Sequence, residues 1–285
     1  MVKLSIIIVS YMKLDILIDC IESIIQYNDM SESTEIIVVD NSPGDNIANY
    51  FAYNYFDVVF IKNENKGFGH ANNVGASNAK GEYLLFLNPD TILVEPIFKF
   101  AVSKFEENRK LGLFGMKLVD RNMNNNMSFF MIDGFGTIKK QIEKIASKVD
   151  VFIDGKMFIS GADMFIRKVD FIDAGRFDDK IFMYCEEMDL LKRIRRLGRK
   201  TSYFNEKRII HLEGKTSNDS DLALKRRLDS TKYYCEKYRL NFKKIVLTEI
   251  RYLKLKGIIY TILNNKVRKK NMSNQIDVYK KYLND

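Results

Sequence analysis

The sequence holds few of the residues that fix a chain covalently or stiffen it. Among 285 residues there are 3 cysteines and 3 prolines. Cys20, Cys185 and Cys235 are odd in number, widely spaced and never in a CxxC pair, which excludes a disulfide framework or a cysteine zinc site and fits a reducing compartment. Neither a low-complexity tract nor a repeat period is present, so disordered, collagen-like and solenoid chains are excluded. No run of about 18 apolar residues occurs, and the apolar stretch Ser5 to Val9 is too short for the core of a signal peptide. These absences imply a chain in a reducing compartment such as the cytoplasm, soluble or at most peripheral. What is present, 46% hydrophobic and 29% charged residues, suffices for one sizeable core or a domain with a smaller appendage.

The net charge of +9 is concentrated at one end. Residues 241–285 carry eleven Lys or Arg against Glu249, Asp277 and Asp285, a local excess of +8. A basic end on a near-neutral body implies an attached surface for anionic lipid or nucleic acid, or else a solvated helical face.

From the N-terminus, apolar strands alternate with amphipathic helices. Ser5 to Val9, Glu35 to Val39, Val58 to Ile61 and Tyr83 to Leu87 read as strands. Leu14, Leu17, Ile18, Ile21, Ile24 and Ile25 recur at helical spacing, and Gly69 to Ala79 reads as a short helix. Strands of this kind belong to a parallel sheet covered on both faces, in which ligands sit beyond the carboxyl ends of the strands. Every such end is polar: Ser10-Tyr11, Asp40-Asn41-Ser42, Asn63 to Gly69, and Asn88-Pro89-Asp90. Singly, each reads as turn or cap chemistry; four in register at one sheet edge read as a site.

Further along, Leu111 to Val119 and Lys156 to Phe165 read as strands, and the Asn- and Met-rich stretch Asp120 to Asp154 as a long loop or flap with a short helix near Ile138 to Ser147. Glu186 to Leu197 is a helix stopped by Gly198, with Leu197 or Leu190 completing its inward face. Thr201 to Phe204 and Arg208 to His211 are two short strands, and the chain is helical and increasingly basic from Asp221. Asp90, on a turn stiffened by Pro89, suits a divalent ion completed by phosphate oxygens, with His211 as a second ligand. Glu186, Glu187 and Asp189 crowd the first turn of one helix, where one carboxylate can cap while another faces a cleft as a general base.

In order and spacing, these pieces resemble the family 2 inverting nucleotide-sugar glycosyltransferases, in particular their bacterial rhamnosyltransferase-like branch. The resemblance runs from about Lys3 to Lys237 and rests on Ile7 to Tyr11, Ile37 to Ser42, Asn65 to Asn73, Leu85 to Thr91, Gly161 to Arg167, Gly175 to Asp178, Phe182 to Leu190, and Ile210-His211. It implies an α/β GT-A fold: a Rossmann-like, mixed, mainly parallel sheet flanked by helices, with a basic helical C-terminal extension. The implied division is a transferase domain over 1–220, with a nucleotide half 1–118 and an acceptor half 119–220, followed by the extension 221–285.

The same resemblance implies residue roles. Ser10, Tyr11, Asn41, Asn88 and the loop carrying Asn65, Gly67, Phe68 and Asn73 would line the nucleotide pocket, with Asn73 turned into the site. Asp40 would accept a hydrogen bond from a pyrimidine base, favouring a dTDP- or UDP-linked donor. Asp90 would hold Mg²⁺ or Mn²⁺ with His211 as partner, since Asn88 stands where the family's DxD signature has its first carboxylate. Gly161, Asp163 and Asp189 fall where sugar or acceptor contacts are expected, Asp189 also as a helix-orienting group. Glu187 aligns with the family's catalytic aspartate, and Glu186 is the alternative base. The implied activity moves a sugar, rhamnose from dTDP-rhamnose first and a UDP-hexose or UDP-galactofuranose unit next, to a saccharide or lipid-linked acceptor of a cell-surface glycan. The basic end would then face an anionic membrane or form a homodimer, and nucleic acid is not expected. A nucleotidyltransferase would need a basic glycine-rich loop after the first strand, and a dinucleotide oxidoreductase a GxGxxG motif; both are absent. An inactive scaffold subunit is the remaining alternative, supported only by Asn88 and the Glu186-Glu187 pair.

Overall fold

Strands that are apolar at every position need cover on both faces, and the fold supplies it. In the computed structural model, which describes residues 1–54, 57–133, 137–212 and 220–284, the first half alternates strands and helices. It comprises β1 (Leu4–Ser10), α1 (Leu14–Gln26), β2 (Thr34–Asp40), α2 (Asn46–Asn54), β3 (Val58–Lys62), α3 (Phe68–Asn78), β4 (Tyr83–Leu87), β5 (Thr91–Leu93), α4 (Phe98–Glu107) and β6 (Leu111–Val119). The rest comprises β7 (Phe129–Met131), α5 (Thr137–Lys148), β8 (Met157–Ile159), β9 (Asp163–Arg167), α6 (Lys168–Asp173), α7 (Glu186–Arg196), β10 (Lys200–His211), α8 (Ser220–Tyr238), α9 (Phe242–Ile262) and α10 (Lys266–Asn284). Asp285, counted in the basic end, lies outside the described residues, as do 134–136 of the expected flap.

Eight strands form one mixed sheet in the order β3-β2-β1-β4-β9-β6-β10-β5. The β3-β2-β1-β4 block and the β6-β10 pair are parallel, while β9 and β5 run the other way. Period 2 sorts each strand's residues between two cores. In β1, Leu4, Ile6 and Ile8 join the core on the α1 and α4 side, where Leu17, Ile21, Phe98 and Phe105 pack. Ile7 and Val9 join the core under α3, α6 and α7 with Ala71, Phe171, Leu190 and Ile194. Gly75 brings α3 close to the sheet: a Cβ there would lie 2.4 Å from Ile7 Cγ2.

Several expected elements took a different form. Lys156 to Phe165 is two strands, because the chain turns at Ser160–Ala162; β8 pairs with β7 in a separate small sheet and only β9 enters the main one. Thr201–Phe204 and Arg208–His211 are one strand, β10, whose ladder to β6 continues on both sides of an irregularity between Phe204 and Arg208. Leu190, not Leu197, completes the buried face of α7. α2, α4, α6 and β5 are additional elements. The expected nucleotide and acceptor halves share one sheet, since β9 lies between β4 and β6.

Of the basic extension, α8 is bonded into the body. Ser230 Oγ donates to the Met183 carbonyl at 2.7 Å, Tyr234 OH to Asp133 at 2.9 Å and Tyr238 OH to Asp189 at 2.8 Å. Its outer half shares a small core with α9 and α10: Leu224, Leu228, Val246, Ile250, Leu253 and Tyr279. Burial pushes the thiols of Cys20 and Cys185 up to about 12 and that of Cys235 up to about 11.

Asp189 is the buried knot between α7 and α8. Its Oδ2 accepts from Arg193 Nε at 2.9 Å and Nη2 at 2.6 Å, and its Oδ1 from Tyr238 OH at 2.8 Å and Lys237 Nζ at 2.6 Å. Removing one partner of a buried ion network strands the others. We expect Asp189→Ala to cost about 3 kcal/mol or more, read as a lower urea midpoint at unchanged m-value.

Candidate active site

The carboxyl ends of β1, β2, β4, β6 and β10 and the amino ends of the reversed strands β9 and β5 lie along one edge of the sheet. Buried polar groups are nearly always hydrogen-bonded, so each one that is not calls for a physical account. Among the described residues, five buried side-chain atoms have no partner: Ser10 Oγ, Asp163 Oδ1, Asp170 Oδ2, Glu186 Oε2 and His211 Nδ1. Ser10, Asp163 and His211 sit at strand ends on this edge.

Asp90 and His211 are brought together by the antiparallel pairing of β5 with β10, in which Thr91 faces His211. His211 Nε2 lies 3.3 Å from Asp90 Oδ1, and Leu212 N–H donates to the Asp90 carbonyl at 2.9 Å. Below them Asn88 closes the turn, its carbonyl accepting from Thr91 Oγ1 at 2.7 Å, with the Cys20 thiol 3.7 Å away. A carboxylate beside an imidazole with an unpartnered ring nitrogen is a donor set that fits a divalent cation whose remaining ligands are phosphate and water oxygens. Among the described residues no cluster of three or more metal-ligating side chains exists, so any ion here depends on ligands from its substrate.

The two glutamates open α7 after a strained bend. Tyr184 (φ 71°) and Cys185 (φ 68°) are both left-handed, a conformation costing a non-glycine residue roughly 1 kcal/mol. The bend is held from α8 by Ser230 on the Met183 carbonyl and by Thr231 Oγ1, 3.9 Å from Cys185 Sγ. Glu186 is buried, and burial followed by the neighbouring Glu187 charge raises its pKa well above the usual carboxylate range. Glu187 is only half-buried; burial raises its pKa too, offset in part by its own backbone N–H and that of Gly161. Its carboxylate rests on Gly161, where a Cβ would come within 2.4 Å of Oε1. The Gly161 turn is tied to the Asp90 turn because Asn88 N–H donates to the Ala162 carbonyl at 3.0 Å.

On the β1–β3 side, Ser10 is buried and Tyr11 is 47% exposed. Asn41 accepts from Asn63 Nδ2 at 2.8 Å and reaches Asn65 at 3.5 Å. Gly67 and Phe68 lie against Phe182: Phe68 N–H donates to its carbonyl at 2.9 Å, and Gly67 adopts φ +112° with room for no Cβ. This loop therefore packs directly on the segment leading to the glutamates.

Four expected contacts are placed otherwise. Asp40 is fully buried with both oxygens engaged, Oδ1 by Ser42 N–H at 3.0 Å and Oδ2 by Lys62 Nζ at 2.9 Å, so it buttresses its loop and offers no bare acceptor to a base. Asn73 is not turned into the site; its amide donates to the Phe177 carbonyl at 2.9 Å and accepts from Phe177 N–H at 3.0 Å. Asp163 is sealed inside, Oδ2 accepting from Met116 N–H at 2.5 Å, and burial raises its pKa well above the usual range. Asp189 is consumed by the α7–α8 knot and orients that helix without facing an acceptor. Sequence reasoning missed Lys62, Ser230 and Thr231. Lys62 ends an apolar strand and could have been marked, whereas the two α8 hydroxyls carry no local signal.

Residues 5–154 match the family model for glycosyl transferase family 2. The rhamnosyltransferase WbbL of Escherichia coli (strain K12) is 28% identical over 197 residues, which is 63% of this chain and 73% of that protein. The minor teichoic acid biosynthesis protein GgaB of Bacillus subtilis (strain 168) is 33% identical over 124 residues, 39% of this chain and only 14% of its own length. Among solved structures, the mannosyltransferase PcManGT from Pyrobaculum calidifontis, in complex with GDP-Man and Mn²⁺, shares the fold with a TM-score of 0.64 at 12% identity, covering 99% of this chain and 86% of that one.

Two stability outcomes follow from this packing. Gly67→Ala should cost about 2 kcal/mol or more, because the added methyl meets the Phe182 backbone and the φ is foreign to L-residues. Asp163 keeps in the folded state a proton that the unfolded chain releases above its ordinary value of 3.8, so its contribution worsens as pH rises from there through the folded pKa. We expect Asp163→Asn to raise Tm at neutral pH and to leave it nearly unchanged near pH 4.

Proposed function

The chain belongs to glycosyl transferase family 2, and on that basis we propose that it is an inverting transferase. It moves a sugar, rhamnose from dTDP-rhamnose first, from a nucleoside-diphosphate donor to a saccharide or lipid-linked acceptor in cell-surface polysaccharide synthesis. The observation carrying this reading is the adjacency of two turns: Asp90 and His211 on one, and on the other the Gly161 backbone beneath the Glu187 carboxylate. Kinship with a rhamnosyltransferase over 73% of that protein's length supports the choice of sugar.

The chemistry needs a base on one side of the anomeric carbon and positive charge on the other. Glu187 takes the proton of the acceptor hydroxyl as that oxygen bonds to the anomeric carbon, and the bond to the diphosphate oxygen breaks with its electron pair leaving on the phosphate. Attack opposite the leaving group inverts the centre. Burial raises the pKa of both glutamates, Glu186 further through the neighbouring Glu187 charge, and Glu187, the more accessible carboxylate, serves as the base. Asp90 and His211 would hold Mg²⁺ or Mn²⁺, which when bound supplies charge against the departing diphosphate. Ser10, Tyr11, Asn41, Asn65, Gly67 and Phe68 line the nucleotide side, and Asn88 holds the Asp90 turn. Asp40 joins them only when Lys62 releases it.

The test is release of nucleoside diphosphate from dTDP-rhamnose, UDP-hexoses and UDP-galactofuranose with acceptor and Mn²⁺. Glu187→Gln should lower kcat about 100-fold or more with the fold intact, and Asp90→Asn should do the same while abolishing recovery by Mn²⁺ after chelation. A Glu187→Gln variant as fast as the parent, alongside an inactive Glu186→Gln, would move the base to Glu186. Because burial raises the Glu187 pKa, activity should climb with pH along a limb lying above the ordinary glutamate value of 4.5.

A further inference from the structure

α9 is apolar on two opposite faces, and only one is covered. Val246, Ile250 and Leu253 are buried against α8 and α10. Leu255, Ile258, Ile259, Ile262 and Leu263 follow the i, i+3, i+4, i+7, i+8 spacing of a single helical stripe, and at about 100° per residue that stripe lies on the side away from the buried one. These five side chains are 61%, 59%, 52%, 78% and 65% exposed, and Val267, at the start of α10, is 71% exposed. Bare apolar surface of this extent on a helical hairpin tip marks an interaction site.

Its surroundings state the partner's charge. Between residues 251 and 276 there are seven basic residues, Arg251, Lys254, Lys256, Lys266, Arg268, Lys269 and Lys270, and no acidic one. Lys254 lies along one flank of the stripe and Lys256 along the other, Arg251 stands on the same face one turn before Leu255, and the remaining four cluster at the start of α10. The tip is also firmly built: Asn265 N–H donates to the Tyr260 carbonyl at 2.9 Å, and Asn265 Oδ1 accepts from Arg268 N–H at 3.0 Å, capping α10. No helix among the described residues is long and apolar enough to cross a membrane. An apolar stripe between basic flanks on a helix too charged to span is the signature of one that lies in the headgroup region. A second copy on this face would oppose two clusters of like charge, so charge complementarity selects an anionic surface.

We propose that the α9–α10 tip is a membrane-docking wedge that inserts the Leu255–Leu263 stripe among the acyl chains of an anionic bilayer while its basic flanks engage the headgroups. This reading does not rest on the catalytic one, and its test does not use turnover. The full chain is mixed with vesicles of phosphatidylcholine alone or with phosphatidylglycerol, and sedimentation is measured at low and high salt. The parent should sediment with anionic vesicles only, and less at high salt. Replacing Lys266, Arg268, Lys269 and Lys270 by Gln should lower the partition coefficient roughly fivefold per charge removed. Replacing Ile258, Ile259, Ile262 and Leu263 by Ser should lower it at least tenfold, with an unchanged circular dichroism spectrum because all four are exposed. Equal binding to neutral vesicles, or a stripe variant that sediments like the parent, overturns the proposal. So does a parent that is dimeric in sedimentation velocity and becomes monomeric in the stripe variant, which would make a second copy the occupant.

Discussion

The register between β4 and β9 is the constraint on which the candidate site depends. With Leu87 opposite Asp163, the Asn88 N–H meets the Ala162 carbonyl, and the turn carrying Asp90 is held against the turn carrying Gly161. A slip of one residue would turn the Asp163 side chain to the other face of the sheet and away from the Met116 N–H. It would also move Gly161, the one residue small enough to lie under Glu187. Antiparallel insertion of β9 between β4 and β6 is thus what sets the Asp90–His211 pair beside the Gly161 turn on which the Glu187 carboxylate rests.

Holding the site ready has local costs borne by distant parts of the chain. Two carboxyls sit next to each other, Glu186 buried and Glu187 half-buried, and two consecutive residues before them adopt left-handed backbone. The compensation comes from α8, whose Ser230, Lys237 and Tyr238 fasten the bend and the first turn of α7. The match to the family model ends at residue 154, yet both glutamates and their supports lie beyond it. The polar strand ends from Ser10 to Asp90 fall inside the matched stretch, whereas His211, the glutamate pair and the α8 residues that fasten it fall outside it.

Much of this was legible from the chain alone, for identifiable reasons. Continuous apolar runs gave β1, β2 and β4, and the polar residues ending them marked the edge where Asp90 and Ser10 now sit. Burial and pairing were not legible, because they depend on what arrives from elsewhere. Nothing near Asp40 announces that Lys62 will occupy it, and nothing near Asn73 announces that the backbone at Phe177 will. Asp163 looked like a contact residue because it follows Gly161-Ala162, but its position as the first residue of a central strand sealed it inside. The break at Ser160–Ala162 was equally hidden, since β8 and β9 are both apolar and only their different partners separate them.

The three thiols bring a practical freedom. Burial pushes all three thiols up, Cys20 and Cys185 to about 12 and Cys235 to about 11, and only the ionised form reacts with alkylating or oxidising reagents. The three native thiols should therefore react far more slowly with maleimides than an exposed cysteine. A single cysteine introduced anywhere on its surface can carry a fluorophore without first removing the natural ones.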